Sequence, residues 1–149
     1  MATTTTPRVS PAHEAQKLFF EIGMDHRGRV GASLAELGLT FSQAHALRLL
    51  DPERPLPMSA LADRLFCDAS NVTGVADRLE ARGLVERRSA VGDRRVKALT
   101  LTAVGAELRR EVLEIMSEPP AAIASLPVAD QRTLRDILSR AVEHLHVTE

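Results

Sequence analysis

Apolar residues recur along this chain mostly at helical spacing, and the gaps between the runs fall at glycine and proline. From about Pro11 to Leu37, the residues Leu18, Ile22, Val30, Leu34 and Leu37 form one stripe that Phe19 widens. This predicts a long amphipathic first helix that stops near Gly38. Gly23, Gly28 and Gly31 lie inside it. Each costs up to about 1 kcal/mol relative to alanine, so a bend or a close helix crossing is expected there. Thr40-Phe41-Ser42-Gln43 matches a capping box, and the helix it starts, to about Leu50, turns Ala44, Leu47 and Leu50 toward a core. Pro52, Pro55 and Pro57 then enforce a loop.

Ser59 is expected to cap a short helix with Leu61, Ala62 and Leu65 facing inward. Asp68 is expected to cap the next, which runs to Arg82 on a buried stripe of Val72, Val75, Ala76 and Leu79 and stops at Gly83. Two helices joined by so short a turn cross steeply, as in a helix-turn-helix. Leu84 to Arg88 and Val96 to Leu101 read as a strand pair around a Gly92-Asp93 turn. Thr102 looks like the cap of a further helix carrying Val104, Leu108, Val112 and Ile115. Breaks follow at Ser117 to Pro120 and at Leu126-Pro127. The final helix has the cleanest stripe: Leu134, Ile137, Leu138, Ala141, Val142 and Leu145. The fold class is mainly α with a small β-wing, a winged helix-turn-helix core flanked by helices at both ends.

Charge sharpens the picture. The 149 residues carry a formal net charge of −1, which argues against a general nucleic-acid coat. Arg78 to Lys97, however, holds seven basic residues against three acidic ones, so that window stands at +4 and the remainder at −5. A local basic patch on a nearly neutral chain is the footprint of a site-directed DNA binder. With no Trp or Tyr and four Phe, platforms for unpaired bases are scarce, which lowers the case for single-strand or RNA binding. The lone Cys67 cannot form an internal disulfide and suits a reducing cytoplasm. The Thr- and Pro-rich residues 1–10 read as a mobile tail without the apolar centre of a signal peptide. No apolar run approaches the roughly 18 residues of a spanning helix, so a cytoplasmic chain without membrane contact is expected.

The second helix of the pair would turn Ser70, Asn71, Thr73, Gly74, Asp77 and Arg78 away from the core. The major groove admits one helix, and short polar side chains at its start reach base edges. Asn71 is the most informative, because its amide can pair with adenine through two bonds. Arg78, Arg87 and Arg88 are placed for phosphates, which fix register without reading sequence. Arg94 and Arg95 at the hairpin tip suit a narrow minor groove. Asp93 would be repelled by DNA, so its expected role is to hold a neighbouring arginine by a charge-assisted hydrogen bond. Taken singly, Ser, Asn and Thr are as often plain caps, and an Arg run is usually a solvated face. The ordered combination of helix, turn, helix and basic hairpin is what carries weight.

Asp77-Arg78-Leu79-Glu80-Ala81-Arg82-Gly83-Leu84-Val85-Glu86-Arg87, then Asp93-Arg94-Arg95 and Leu101-Thr102-Ala103-Val104-Gly105, resembles the MarR family of bacterial transcriptional regulators, whose pattern is DRLE..GLV.R, D.R and LT..G. The resemblance implies a single MarR-like domain over 1–149. Helices 11–37 and 119–146 would dimerise, 40–102 would bind DNA, and 103–118 would link the wing to the dimer interface. It implies an obligate, roughly triangular homodimer that sets one winged helix per subunit on a palindromic operator of double-stranded DNA, most often as a repressor. By position, Arg95 matches the family's wing arginine, Asp93 the aspartate that braces it, and Arg94 is an additional basic residue. Gly74 departs from members with a larger polar or basic residue there, which removes a base contact available to them.

The resemblance also implies release by a small aromatic or anionic effector. Phe19, Met24, His26, Arg29 and His45, with Phe20, Phe41 and Arg27, supply apolar walls and polar groups, although no spacing among them is diagnostic. No cofactor or metal is expected. His144 and His146 lie about 200° apart around a helix, and the zinc-responsive relatives' histidines after the wing are missing between Thr102 and Pro127. Peroxide-sensing relatives place a cysteine near the start of the first helix, where this chain has none. Cys67, beside Asp68, is expected to be a buried small residue. No nucleophile–base set or phosphate loop suggests an enzyme. The rival reading is a winged-helix protein–protein module whose −5 remainder meets a basic partner.

Overall fold

The computed structural model describes residues 10–65, 69–90 and 93–145, excepting the side chains of Ala69, Ala90 and Asp93 to Arg95. Residues 1–9 of the expected tail, the Asp68 cap, Cys67 and Gly92 lie outside the described residues. In chain order the elements are α1 (Pro11–Glu36), α2 (Phe41–Leu49), β1 (Leu56–Pro57), α3 (Met58–Leu65), α4 (Ala69–Ala81), β2 (Val85–Ala90), β3 (Asp93–Leu101), α5 (Ala103–Ser117), α6 (Ala121–Ala124) and α7 (Val128–Leu145). The architecture is thus mainly helical with one small antiparallel sheet in the order β1-β3-β2. Two units divide it: Arg29–Glu118, and Met1–Gly28 with Pro119–Glu149.

The larger unit is built around the short helices. Leu34, Leu47, Leu61, Leu79, Leu99 and Val112 are wholly buried, one from almost every element. The capping box of α2 forms as the sequence predicts. Gln43 N–H donates to Thr40 Oγ1 at 3.3 Å, and Gln43 Oε1 accepts Thr40 N–H at 3.1 Å. This satisfies the one polar side chain of the buried set, Gln43. Both left-handed glycines end helices through the same pair of bonds. At α1, Leu39 N–H reaches Leu34 O and Gly38 N–H reaches Ala35 O. At α4, Leu84 N–H reaches Leu79 O and Gly83 N–H reaches Glu80 O.

Four expectations need correction. α1 runs unbroken through Gly23, Gly28 and Gly31, so the expected bend does not interrupt it, and a Cβ at each would meet nothing within 4 Å among the described residues. Propensity is a weak prior against a 26-residue run of helical hydrogen bonds. Ser59 does not cap α3, because the helix begins a residue earlier at Met58. Leu56 and Pro57, expected in a loop, pair with Leu99 and Ala98 as a third strand. Pro57 is tolerated because β1 is an edge strand, where its missing N–H need not serve a ladder. Finally, β2 and β3 reach further toward the tip than expected, to Ala90 and Asp93.

In the smaller unit, the described residues carry an apolar surface. On α1 these are Leu18, Phe19, Phe20 and Met24, and on α7 they are Ile137, Leu138, Val142 and Leu145, all exposed. An open groove of about 520 Å³ is lined by Ile123, Leu134, Leu138 and Val142.

Candidate nucleic-acid interface

Helical geometry sorts α4 into three stripes. Val72, Ala76 and Leu79 face the core and are buried. Ser70 and Asn71 in the first turns, and Arg78 further on, are exposed, and Gly74 shares their side of the helix with open space around it. Thr73, Asp77 and Glu80 form the third stripe, one helical turn apart from each other. Ser70 and Asn71 are therefore on an outward surface at the start of α4, and Thr73 is exposed on the stripe beside them.

β2 and β3 form an antiparallel ribbon beside α4. The register runs from Val85↔Leu101 to Ser89↔Lys97 and then slips, so that Ala90 pairs with Asp93 and Arg94 to Val96 fall in the irregular part. The side chains of Asp93, Arg94 and Arg95 lie outside the described residues, and with them the expected clasp of Arg95 by Asp93. Lower on the ribbon, the twofold alternation of a strand separates the two arginines that the sequence suggested would act together. Arg88 lies on the outer side, paired with Glu86 at 2.8 Å, both well exposed. Arg87 lies on the side of buried Val85 and turns toward α4.

The sequence expectation grouped Arg87 with the phosphate ligands. The structure instead places its guanidinium on two carboxylates of the helix. Nη1 donates to Glu80 Oε2 at 2.7 Å and Nη2 to Asp77 Oδ1, with a longer contact of 3.4 Å to the Thr73 carbonyl. Its backbone N–H donates to the other oxygen of Glu80 at 3.2 Å. The hydrogen bond to Asp77 is the largest influence on its acidity. With the two nearby negative charges, it outweighs desolvation and raises the pKa above the ordinary arginine value.

A family model described as MarR family matches residues 39–97, from the approach to α2 through most of β3. The organic hydroperoxide resistance transcriptional regulator of Bacillus subtilis is 29% identical over 116 residues, 76% of either chain. An HTH-type transcriptional repressor of Mycobacterium tuberculosis is 29% identical over 124 residues, 83% of this chain and 89% of its own. Among solved structures, AbsC, a MarR family transcriptional regulator from Streptomyces coelicolor, is 25% identical. The match covers 96% of this chain and all of AbsC, with a TM-score of 0.73. Over residues 39–97 the chain thus matches the MarR family, and along most of its length it is similar to MarR-family regulators.

The relatives are named as transcriptional regulators and repressors, and the chain shares the winged-helix architecture of AbsC. No helix among the described residues is long and apolar enough to cross a membrane. The effector candidates are distributed over both units. Phe19 and Met24 are exposed and His26 is half-buried in the smaller one, while exposed Arg29 and half-buried His45 belong to the larger. His45 stands edge-on to Phe41, with ring centres 6.3 Å apart. Burial, and then the charge of Arg48, lower its pKa below 6.5.

Two residues of consequence were missed by sequence reasoning. Arg82 donates to the carbonyls of Gly38 at 2.7 Å and Leu37 at 3.0 Å, tying the end of α4 to the end of α1. Counting it only as part of a basic window hid this. Its place one residue before a helix-stopping glycine was a usable signal, since a cation there is near helix carbonyls. Gly105 brings the first turn of α5 so close to the wing root that a Cβ would lie 1.8 Å from the Leu84 carbonyl oxygen. Its place in the LT..G pattern was the signal, but the pattern did not say what the glycine approaches.

Proposed function

We propose that this chain is a cytoplasmic repressor of the MarR family that holds a palindromic operator as a homodimer and lets go when a small aromatic or anionic effector binds. In this reading α4 of each copy enters a major groove. Ser70, Asn71 and Thr73 read base edges there, while Gly74 leaves one position without a reader. Arg78 and Arg88 face phosphates, and Arg94 with Arg95, the latter braced by Asp93, follow the minor groove. Residues 11–37 and 119–146 pair the two copies, 40–102 bind DNA, and 103–118 connect the two.

The observation that carries this proposal is the outward polar start of α4 lying next to an antiparallel ribbon rich in arginine. The exposed apolar surfaces of α1 and α7 support the dimer, because a free monomer rarely leaves so many large apolar side chains in water. The test is association with duplex DNA followed by fluorescence anisotropy across salt concentrations, with mass measured by light scattering. Binding as two chains per duplex, weakening steeply as salt rises, supports the reading, because each phosphate neutralised contributes about −0.9 to the log–log slope. A salt-independent association, or none, refutes it in favour of a protein-binding module. Titration of the complex with a broad panel of aromatic acids tests the effector arm, and a panel that releases no DNA counts against it.

A further inference from the structure

The arrangement around Arg87 differs from that of a phosphate ligand. A residue that holds a phosphate turns its terminal nitrogens out toward the duplex. Here the two terminal nitrogens point at Glu80 and Asp77, and the guanidinium side chain is only 25% exposed. Glu80 in turn uses one oxygen for that guanidinium and the other for the backbone N–H of Arg87. β2 is an edge strand, paired on one side by β3, so this N–H points away from the ladder and has no strand partner. An open strand edge is a liability that proteins cover. Glu80 covers this one, and in doing so fixes the wing to the DNA-reading helix.

We propose that Arg87 is a positioning residue. Through Asp77 and Glu80 it sets the wing ribbon at one distance and angle from α4, so that base readers and wing arginines reach their grooves together. The inference rests on the proposed DNA-binding role and adds a mechanism to it. Planar, two-pronged pairing suits this task better than a point charge, since a guanidinium fixes two carboxylates in direction as well as distance. It also accounts for two acidic side chains on a helix meant to approach DNA. They do not face the duplex as two free charges, because Arg87 sits between them, is shared by both and leaves a net charge of −1 for the trio.

Two conservative substitutions separate positioning from phosphate binding. The probes are a duplex selected by the wild-type chain from a random pool and a scrambled duplex of equal length. Arg87→Lys keeps the charge and removes the fork. If Arg87 positions, preference for the selected duplex falls by roughly tenfold, about the worth of one base contact. Binding to the scrambled duplex and the salt slope stay as in the wild type. If Arg87 is a phosphate ligand, lysine serves nearly as well and preference is retained. Asp77→Asn gives opposite signs for the two roles. Positioning predicts lost preference. A phosphate role predicts tighter binding to both duplexes, because a negative charge near DNA is gone and the arginine is released. The Asp77 side chain is 58% exposed, so this variant leaves the core intact. Retained preference in either variant, or tighter binding in Asp77→Asn, overturns the inference. A wild-type chain that binds no duplex overturns the proposed function instead.

Discussion

Gly105→Ala sets two physical effects against each other. Gly105 lies inside α5, where helix propensity alone predicts that alanine stabilises by about 1 kcal/mol. The packing predicts the reverse. An added Cβ would stand 1.8 Å from the Leu84 carbonyl oxygen and 2.8 Å from its carbon. Carbon–oxygen contacts settle near about 3.3 Å, so the helix start or the wing root must move by about 1.5 Å. Neither is free to do so. Leu84 is 3% exposed, and its carbonyl accepts the Thr102 N–H at 3.1 Å. Thr102 caps α5 by accepting Gly105 N–H at 3.0 Å and donates its hydroxyl to Gly83 O at 2.6 Å. Overpacking of about 1–3 kcal/mol and one or two weakened hydrogen bonds of about 1 kcal/mol each outweigh the propensity gain. The net loss is about 1–4 kcal/mol. Urea unfolding followed by circular dichroism, at fixed protein concentration so that the proposed dimerisation weighs equally on both chains, measures it. Gly74→Ala is the internal control. It is helical too, but has open space around it, and should gain up to about 1 kcal/mol. If both variants shift the midpoint in the same direction, the reasoning is refuted.

Three further outcomes are expected. Asn71→Ala weakens binding to a selected duplex by about 1–3 kcal/mol and relaxes preference at one base pair per half-site; unchanged preference removes Asn71 from the readers. Leu138→Glu, on the exposed apolar surface of α7, shifts the chain toward monomer in light scattering and costs DNA affinity, whereas an unaltered mass means that this surface does not pair copies. His45 prefers its neutral form in the folded chain because its pKa is lowered, so the unfolded chain takes up the proton first as pH falls. The contribution of neutral His45 is therefore whole above about pH 6.5 and is lost below it, as pH falls toward the folded value. His45→Gln should flatten that acid limb in unfolding titrations between about pH 8 and about pH 5, and an unchanged limb assigns it to other groups.

Local rules made most of the fold legible. The Thr40 capping box, the stops at Gly38 and Gly83, the Thr102 cap and the break before Pro120 each depend on residues close in sequence, and each is found where it was expected. Failures came where distant segments decide. β1 exists because β3 offers a strand edge to Leu56 and Pro57, and nothing near Leu56 announces that partner. Arg87 and Arg88 look equivalent in a charge count, yet strand alternation sends one to Glu86 and the other to Asp77 and Glu80. Arg82 reaches carbonyls more than forty positions earlier in the chain. The outward polar start of α4 was legible because a 3.6-residue period assigns its faces once the buried stripe is known.

The most direct test of the central claim is the salt dependence of binding between the purified chain and a selected palindromic duplex, measured together with the mass of the complex. Two chains per duplex, with affinity falling steeply and linearly on a log–log plot as salt rises, is the predicted result. A flat salt response, or a complex that forms equally well with any acidic polymer, would contradict it.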